Sequence, residues 1–381
     1  MSSPLNRSAL AGAILTIDLG ALRENYRRLT AHLQGAAACA AVVKADGYGL
    51  GAAVVASALR EVGCRSFFVA HAVEGVALRE ALGPEPEIFV LNGIYPGGED
   101  DCARAGLVAV ANSAAQLAAW RAAALRSGWK LPVAVQIDTG MSRLGMPPAE
   151  IDGLAPDALA GLDLKLVMSH LACADEPDNP ANEEQRAAFE TLRRKLPPAP
   201  ASLANSSGVF LGGAYRHDLA RPGASLYGVN PTPGKENPMR QVVRLQAKLI
   251  QTRELTADMG IGYGHSFRSS APLRVATIAL GYADGWPRRA AAAAWHHGRK
   301  LPFVGRVSMD SIVLDISALN PGELAAGDLV ELIGDHQTID DVAALSGTIG
   351  YEILTGLGHR FHRLYEGGQR FRPDGSGDIL E

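Results

Sequence analysis

The sequence predicts an α/β protein: a (β/α)8 barrel of the TIM type followed by a mostly β C-terminal domain. Three observations carry this. Short apolar runs alternate with helix-like segments from residue 14 to about 228, the pattern of a parallel sheet wrapped by helices. The runs number eight, the count that closes such a barrel. Beyond the Pro- and Gly-rich stretch 231–238, β-type runs separated by turn residues take over.

The eight runs are 40–45, 66–70, 87–92, 108–112, 133–138, 164–170, 201–205 and 217–221. Between them, 19–33, 113–126 and 183–196 are rich in Ala, Leu, Glu and Arg at helical spacing, with Ser113 as an N-cap and Gly128 as a stop. Further on, 242–255, 273–280, 301–316 and 328–333 read as strands. A last helix over 340–357 opens on Thr338 or Asp340, and the tail from Gly367 reads as frayed. These assignments place the barrel domain at 14–235 and the β domain at 240–381, with residues 1–13 packed against the latter. Residues 9–17 read as a first strand rather than an export signal. Arg7 precedes only a short apolar core, no clear small-residue cleavage site follows, and the run passes straight into Asp18.

Composition narrows the function. The chain has 381 residues, 47% of them hydrophobic, enough for two domains with buried cores. A formal net charge of −4 gives no basic field for nucleic acid. No apolar stretch approaches the ~20 residues of a membrane span. Cys39, Cys64, Cys102 and Cys173 lie far apart, with neither metal-ligand spacing nor a disulfide framework, as suits reduced thiols in a cytoplasm. The expectation is a cytoplasmic protein with a small-molecule substrate, without metal, nucleic acid or membrane.

Barrel enzymes place their chemistry where strands end and loops begin, and these ends are polar. The first strand leads into Lys44-Ala45-Asp46-Gly47-Tyr48-Gly49 and the fifth into Asp138-Thr139-Gly140-Met141-Ser142-Arg143-Leu144-Gly145. The sixth ends in Ser169-His170, the seventh in Asn205-Ser206-Ser207-Gly208 and the eighth in Arg221-Pro222-Gly223-Ala224. A lysine ending an apolar strand is poorly hydrated, which disfavours its ammonium and makes the free amine nucleophilic, as Schiff-base chemistry needs. A lone lysine there would more simply snorkel to solvent or pair with Asp46. Asn205 to Gly208 offers an amide, two hydroxyls and a glycine that admits backbone N–H groups, and Gly223 does the same one strand later. Together they read as a phosphate cradle, or singly as ordinary polar turns. Tyr48 either donates to that phosphate or caps the barrel. His170 either stacks on a flat heterocycle or satisfies itself against backbone, the plainer reading. Arg143 and Arg221, near a buried mouth, each need a partner: a cofactor nitrogen, a substrate carboxylate or a structural aspartate.

The segment Ala41-Val42-Val43-Lys44-Ala45-Asp46-Gly47-Tyr48-Gly49 resembles the cofactor-lysine motif of bacterial alanine racemases. It does not stand alone. Asp138 to Gly145, Ser169-His170-Leu171, Ala204-Asn205-Ser206, Arg221 to Gly228, Gly262-Tyr263-Gly264, Leu280 to Gly285 and Gly305 to Asp310 follow in that family's order over nearly the whole chain.

The resemblance implies pyridoxal 5'-phosphate as cofactor and the interconversion of L-alanine and D-alanine by two bases, supplying D-alanine for peptidoglycan. Lys44 is then the cofactor lysine and one base. Tyr263 is the other, contributed by the β domain of a partner subunit, so the protein is a homodimer with composite sites. Inversion needs a proton taken from one face and returned on the other, and both groups titrate near ten in water, so their surroundings must lower them. Arg221 matches the partner of the pyridine nitrogen, where related decarboxylases carry an acidic residue. Arg143, the Met309 backbone N–H and Tyr282 belong to the substrate, with Tyr282 lining the entrance. Tyr48, Ser206, Gly223 and Ala224 fall at phosphate positions, His170 at the ring-stacking one, and Asn205 supports this shell.

Two positions depart from the family's pattern. Gln136 stands where many members carry a carbamylated lysine that braces the arginine, so Arg143 needs the amide or another anion to orient it. His359 aligns with a tyrosine that some members use on the phosphate. The competing readings are a broad-specificity amino-acid racemase, a related barrel decarboxylase, a non-catalytic cofactor carrier, and an unrelated aldolase-like barrel.

Overall fold

Seven short parallel strands lie side by side in chain order: Ala41–Val42, Ser66–Val69, Glu87–Val90, Val108–Ala111, Leu131–Gln136, Leu162–Met168 and Ala201–Ser202. This computed structural model describes residues 6–367 and 378–380, so most of the tail expected to fray, and the first five residues, fall outside them. The strands are apolar on both faces because both are covered; Val108–Ala111 is buried at every position. Phe67, Phe68 and Phe89 are wholly enclosed, with the Phe68 and Phe89 rings stacked at 4.4 Å.

The eighth strand, Leu219–Ala220, pairs in parallel with Ala38–Cys39. That segment continues through Ala40, whose N–H donates to the Ala220 carbonyl, into Ala41–Val42. On its other side, the N–H groups of Asp218 and Arg221 donate to the carbonyls of Ala201 and Ala204. The ring of eight predicted from the apolar runs is therefore closed. Helices lie between strands as expected: Leu19–His32, Ala114–Ser127 and Ala181–Arg193. Ser113 caps the second, its hydroxyl accepting from the Gln116 N–H, and Gly128 ends it in the left-handed region.

The chain divides into two compact units, Leu22–Arg240 and the pair Met1–Ala21 with Gln241–Glu381. The barrel unit thus begins after Ala21, not at residue 14. The strand Ala13–Asp18 pairs antiparallel with Val243–Leu255 and parallel with His362–Glu366, so it belongs to the β unit. Local periodicity does not reveal this, because the partners are more than two hundred residues away. The run 9–17 is not one strand either. A short helix, Arg7–Leu10, precedes Ala13–Asp18, with the Asn6 side chain accepting from the Ala9 N–H.

Around Val243–Leu255 the β unit adds Leu329–Ile333, Ala293–His296 and Arg299–Pro302 on one side, while Leu273–Ile278 and Ile312–Asp315 branch off it. The run 301–316 is therefore two strands, broken by a loop that holds Gly305 at φ 76°. The expected last helix is also two, Ile339–Ser346 and Gly350–Gly356, parted at Gly347 with φ 68°. Thr338 is its cap, reciprocally bonded with Asp341. The strand Ala293–His296 and the hairpin of Gly260–Ile261 with Phe267–Arg268 are additional to the sequence reading. Among the described residues no helix is long and apolar enough to cross a membrane, and no cluster of side chains could hold a metal.

Candidate active site

Lys44 follows the first barrel strand and is half-buried. Burial, then the Arg143 guanidinium, lowers its proton affinity below that of an ordinary lysine, while Glu74 opposes them. Among the described residues no ion pair joins Lys44 to Asp46, whose Oδ1 instead accepts from the Ala52 N–H at 2.8 Å. The residues after Lys44 form a left-handed turn, with φ of 52° at Ala45, 53° at Asp46, 64° at Gly47, 56° at Tyr48 and 81° at Gly49. This conformation costs about 1–2 kcal/mol at each residue other than glycine. Hydrogen bonds from Gly47 N to Val43 O and from Gly51 N to Asp46 O, both 2.8 Å, offset part of that.

The turn aims Tyr48 into the barrel. Its ring is buried and stacked on Tyr227 at 4.6 Å, and the Tyr227 hydroxyl donates to the Val42 carbonyl. The Tyr48 hydroxyl fills the place where a Cβ on Gly223 would go. Ser206 Oγ accepts from the N–H groups of Gly223 at 2.9 Å and Ser225 at 3.3 Å. The buried Ser225 hydroxyl has no partner among the described residues. Tyr48, Ser206, Gly223, Ala224 and Ser225 thus gather hydroxyls and backbone around one spot, which fits a phosphate. Asn205 supports this cradle: its Oδ1 accepts from the Gly208 N–H and its Nδ2 donates to the Leu171 carbonyl.

Arg221 is buried. Its terminal nitrogens donate to Ser202 Oγ and the Ser169 carbonyl, and its guanidinium carbon lies 5.9 Å from the Phe68 ring centre. Among the described residues nothing accepts from its Nε. Its partners are neutral oxygens, not the structural aspartate allowed for. Burial lowers its pKa to about 9, which leaves it a cation at neutral pH. The His170 ring is neutral: burial, then Arg221, Arg143 and Lys44, push it down to about 3. Its carbonyl accepts from Gln185 Nε2, which also reaches Thr139 Oγ1.

Arg143 does not lie in a buried mouth, as the strand-end position suggested. It stands exposed on a loop wound around Asp138, whose Oδ1 accepts from the N–H groups of Gly140, Met141 and Ser142. The loop is closed at its base by Asp138 N to Met146 O and Met146 N to Gln136 O. An exposed guanidinium needs no buried partner. No hydrogen bond among the described residues joins it to the Gln136 amide.

Tyr263, Tyr282 and Met309 belong to the other unit. They are 68%, 40% and 52% exposed. Tyr263 starts a short turn between Gly262 and Gly264, both at positive φ. The Tyr282 N–H donates to the Ser308 carbonyl and the Ala283 N–H to the Met309 carbonyl, so these two loops are stitched together. Arg360 ties them further, with Nε on Asp284 Oδ1 and Nη1 on Asp310 Oδ1, each at 2.7 Å. Its neighbour His359 is exposed.

Glu74, Ser202, Gln185 and Arg360 escaped the sequence reading. Glu74 carried a signal, an acid in the first turn of the helix Ala72–Leu82, but its reach to Ala45 did not.

The family description "Alanine racemase, N-terminal domain" matches residues 17–231 and "Alanine racemase, C-terminal domain" residues 242–365. A protein of Mesorhizobium japonicum named "Alanine racemase, catabolic" is 66% identical, over 94% of this chain and 95% of its own. One of the same name from Agrobacterium fabrum is 52% identical over 96% of each. The crystal structure of alanine racemase from Bartonella henselae with covalently bound pyridoxal phosphate superposes with a TM-score of 0.89 at 41% identity, covering 93% of this chain and 99% of that one. The chain belongs to the alanine racemase family and is a pyridoxal-phosphate-dependent racemase.

Proposed function

We propose that this racemase interconverts L-alanine and D-alanine, with Lys44 holding the cofactor and serving as base on one face of the substrate and Tyr263 of a second copy serving on the other. The observation that carries this is the grouping of a lysine of lowered proton affinity, a hydroxyl-lined cradle at Tyr48, Ser206 and Gly223, and the buried Arg221 in one barrel. When bound, pyridoxal phosphate supplies the electron sink that makes the α-proton acidic. Lys44, poorly hydrated, passes between amine and ammonium as it takes or returns that proton. Arg221 only donates, so Nε offers the ring nitrogen a hydrogen bond without surrendering a proton, which favours racemisation over decarboxylation. His170, neutral, stacks on the ring face. Arg143 and the Met309 N–H receive the substrate carboxylate, and Tyr282 lines the entrance.

The exposure of Tyr263, Tyr282 and Met309 supports a homodimer, in which a two-fold axis brings each copy's β unit to the other's barrel. Four free cysteines support a cytoplasmic setting. The names of the two relatives favour a catabolic role over the supply of D-alanine to peptidoglycan. The β unit with Tyr263 argues against a cofactor carrier.

Borohydride reduction followed by peptide mapping tests the anchor, which is wrong if the cofactor is fixed anywhere but Lys44. Exchange of the α-proton in deuterated water, run on L-alanine and on larger L-amino acids, tests reaction and substrate. Equal rates on larger substrates would favour a broad-specificity racemase instead.

A further inference from the structure

The carboxylate of Glu74 lies at a junction that no step of the two-base reaction uses. Its Oε1 accepts from the N–H of Ala45, the residue directly after Lys44, at 2.6 Å. Its Oε2 accepts from the N–H groups of Ala70 at 2.8 Å and His71 at 2.9 Å. These last two lie between the second barrel strand, Ser66–Val69, and the helix Ala72–Leu82. We propose that Glu74 is the positioning residue for Lys44: one carboxylate clamps the peptide that follows the lysine to the end of the neighbouring strand, and so fixes where the lysine stands and which charges surround it. The inference deepens the proposed function and rests on Lys44 being the cofactor lysine.

A plain helix cap accounts for only half of this geometry. A glutamate in a first turn need only reach back to its own helix's N-terminal N–H groups, which Oε2 does. Oε1 is directed to another element 29 residues away in sequence. The peptide it meets opens the left-handed turn at Ala45, Asp46, Gly47, Tyr48 and Gly49, a backbone that residues other than glycine adopt only when held from outside. Asp46 Oδ1 holds the far end through the Ala52 N–H and Glu74 holds the near end. Between these clamps stand the two side chains the cofactor needs, Lys44 before the turn and Tyr48 within it.

The charge acts as well. The other groups that share this field are cationic or neutral: the Arg143 guanidinium acts on Lys44, and Lys44, Arg143 and the buried Arg221 together keep the His170 ring uncharged. On its own turn, Asp46 is engaged with Ala52 N and Tyr48 is stacked on Tyr227. His71, at the start of the Glu74 helix, approaches Asn92 Nδ2 at 3.4 Å. Glu74 is the anion that opposes the downward pull of burial and Arg143 on the lysine. Without it, the Lys44 ammonium gives up its proton more readily and the amine takes the substrate's proton more poorly.

The test uses the holoenzyme with Glu74→Gln and Glu74→Asp. Removing the charge in E74Q should move the acid limb of kcat, and the pH titration of the cofactor's visible absorbance, downward by about one unit, a tenfold change in the proton equilibrium. It should also weaken cofactor retention on dialysis. E74D keeps the charge but shortens the reach, so its limb should stay within half of that shift while cofactor loss persists. Unmoved limb and titration in E74Q overturn the proposal, even with a lowered melting temperature, since a cap that only stabilises the fold would give that result. Borohydride mapping of the wild type separates the two levels. Label on Lys44 with an unmoved limb removes Glu74 alone, whereas label on another lysine removes the reading beneath it.

Discussion

The Tyr48 hydroxyl occupies the space that a Cβ on Gly223 would fill. Gly223 has a negative φ, −128°, so its value there is room rather than backbone freedom. Tyr48 cannot retreat easily, being buried against Tyr227. Gly223→Ala should therefore push the phenol or the turn out of place, an overpacking that costs about 1–3 kcal/mol. Cofactor affinity measured by fluorescence titration should fall roughly tenfold or more, 1.4 kcal/mol being one decade. Unchanged affinity would remove Tyr48 and Gly223 from the phosphate cradle.

Arg221 is bonded to the Ser169 carbonyl and Ser202 Oγ. Both oxygens would lose their donor in Arg221→Glu, and the new carboxylate would face a carbonyl, raising its pKa. A carboxyl that can share its proton with the ring nitrogen strengthens the electron sink, so transamination should rise relative to racemisation. Product ratios read by chromatography decide this, and an unchanged ratio would deny Arg221 its place at the ring nitrogen.

His170 sets a pH dependence. Its folded pKa, about 3, lies below the ordinary value of 6.5, so the folded state refuses a proton that the unfolded state accepts. Its contribution to stability is complete above pH 6.5 and is lost as pH falls toward 3, by at most about 1.4 kcal/mol per pH unit. Urea unfolding of wild type and His170→Asn at several pH values isolates it, since the shared carboxylates cancel. The difference between the two should shrink steadily below pH 6.5. A constant difference would mean that His170 is protonated in the folded protein.

Motifs at strand ends were legible because their chemistry is local: Lys44, Tyr48, Ser206 and Gly223 each sit within a few residues of an apolar run. What stayed hidden was long-range. Ala13–Asp18 alternates like any strand, and only its pairing with His362–Glu366 assigns it to the β unit. Glu74 looks like a helix start until Ala45 is folded against it. Ser202 is the buried last residue of a two-residue strand, distinguishable from packing only when Arg221 reaches it. The split at Gly347 was readable in principle, since a glycine in the left-handed conformation ends many helices, but the apolar pattern continued across it.

Arg360 links the loops that carry Tyr282 and Met309 through Asp284 and Asp310. Arg360 and Asp310 are exposed, and such a pair contributes little to stability, whereas Asp284 is buried but keeps the Gly281 N–H as a second partner. Its value is therefore geometric. Arg360→Gln should raise KM several-fold through looser placement of Tyr282 and the Met309 N–H, while the melting temperature falls only slightly, because the glutamine amide and the Gly281 N–H can still donate to the buried Asp284. A large drop in melting temperature with normal KM would make it a structural tie.

The exposure of Tyr263 can be turned into a count of active sites. Lys44→Ala and Tyr263→Phe should each be almost inactive alone, since every site lacks one base. If the bases come from different copies, a mixed dimer of the two variants holds one site with both defects and one with neither. Random reassortment makes half of the dimers mixed, so the mixture should regain about a quarter of wild-type activity. If both bases came from one chain, every site in every dimer would carry a defect and mixing would restore nothing. Activity measured before and after denaturing and refolding the variants together reads the outcome, and separately refolded samples supply the baseline.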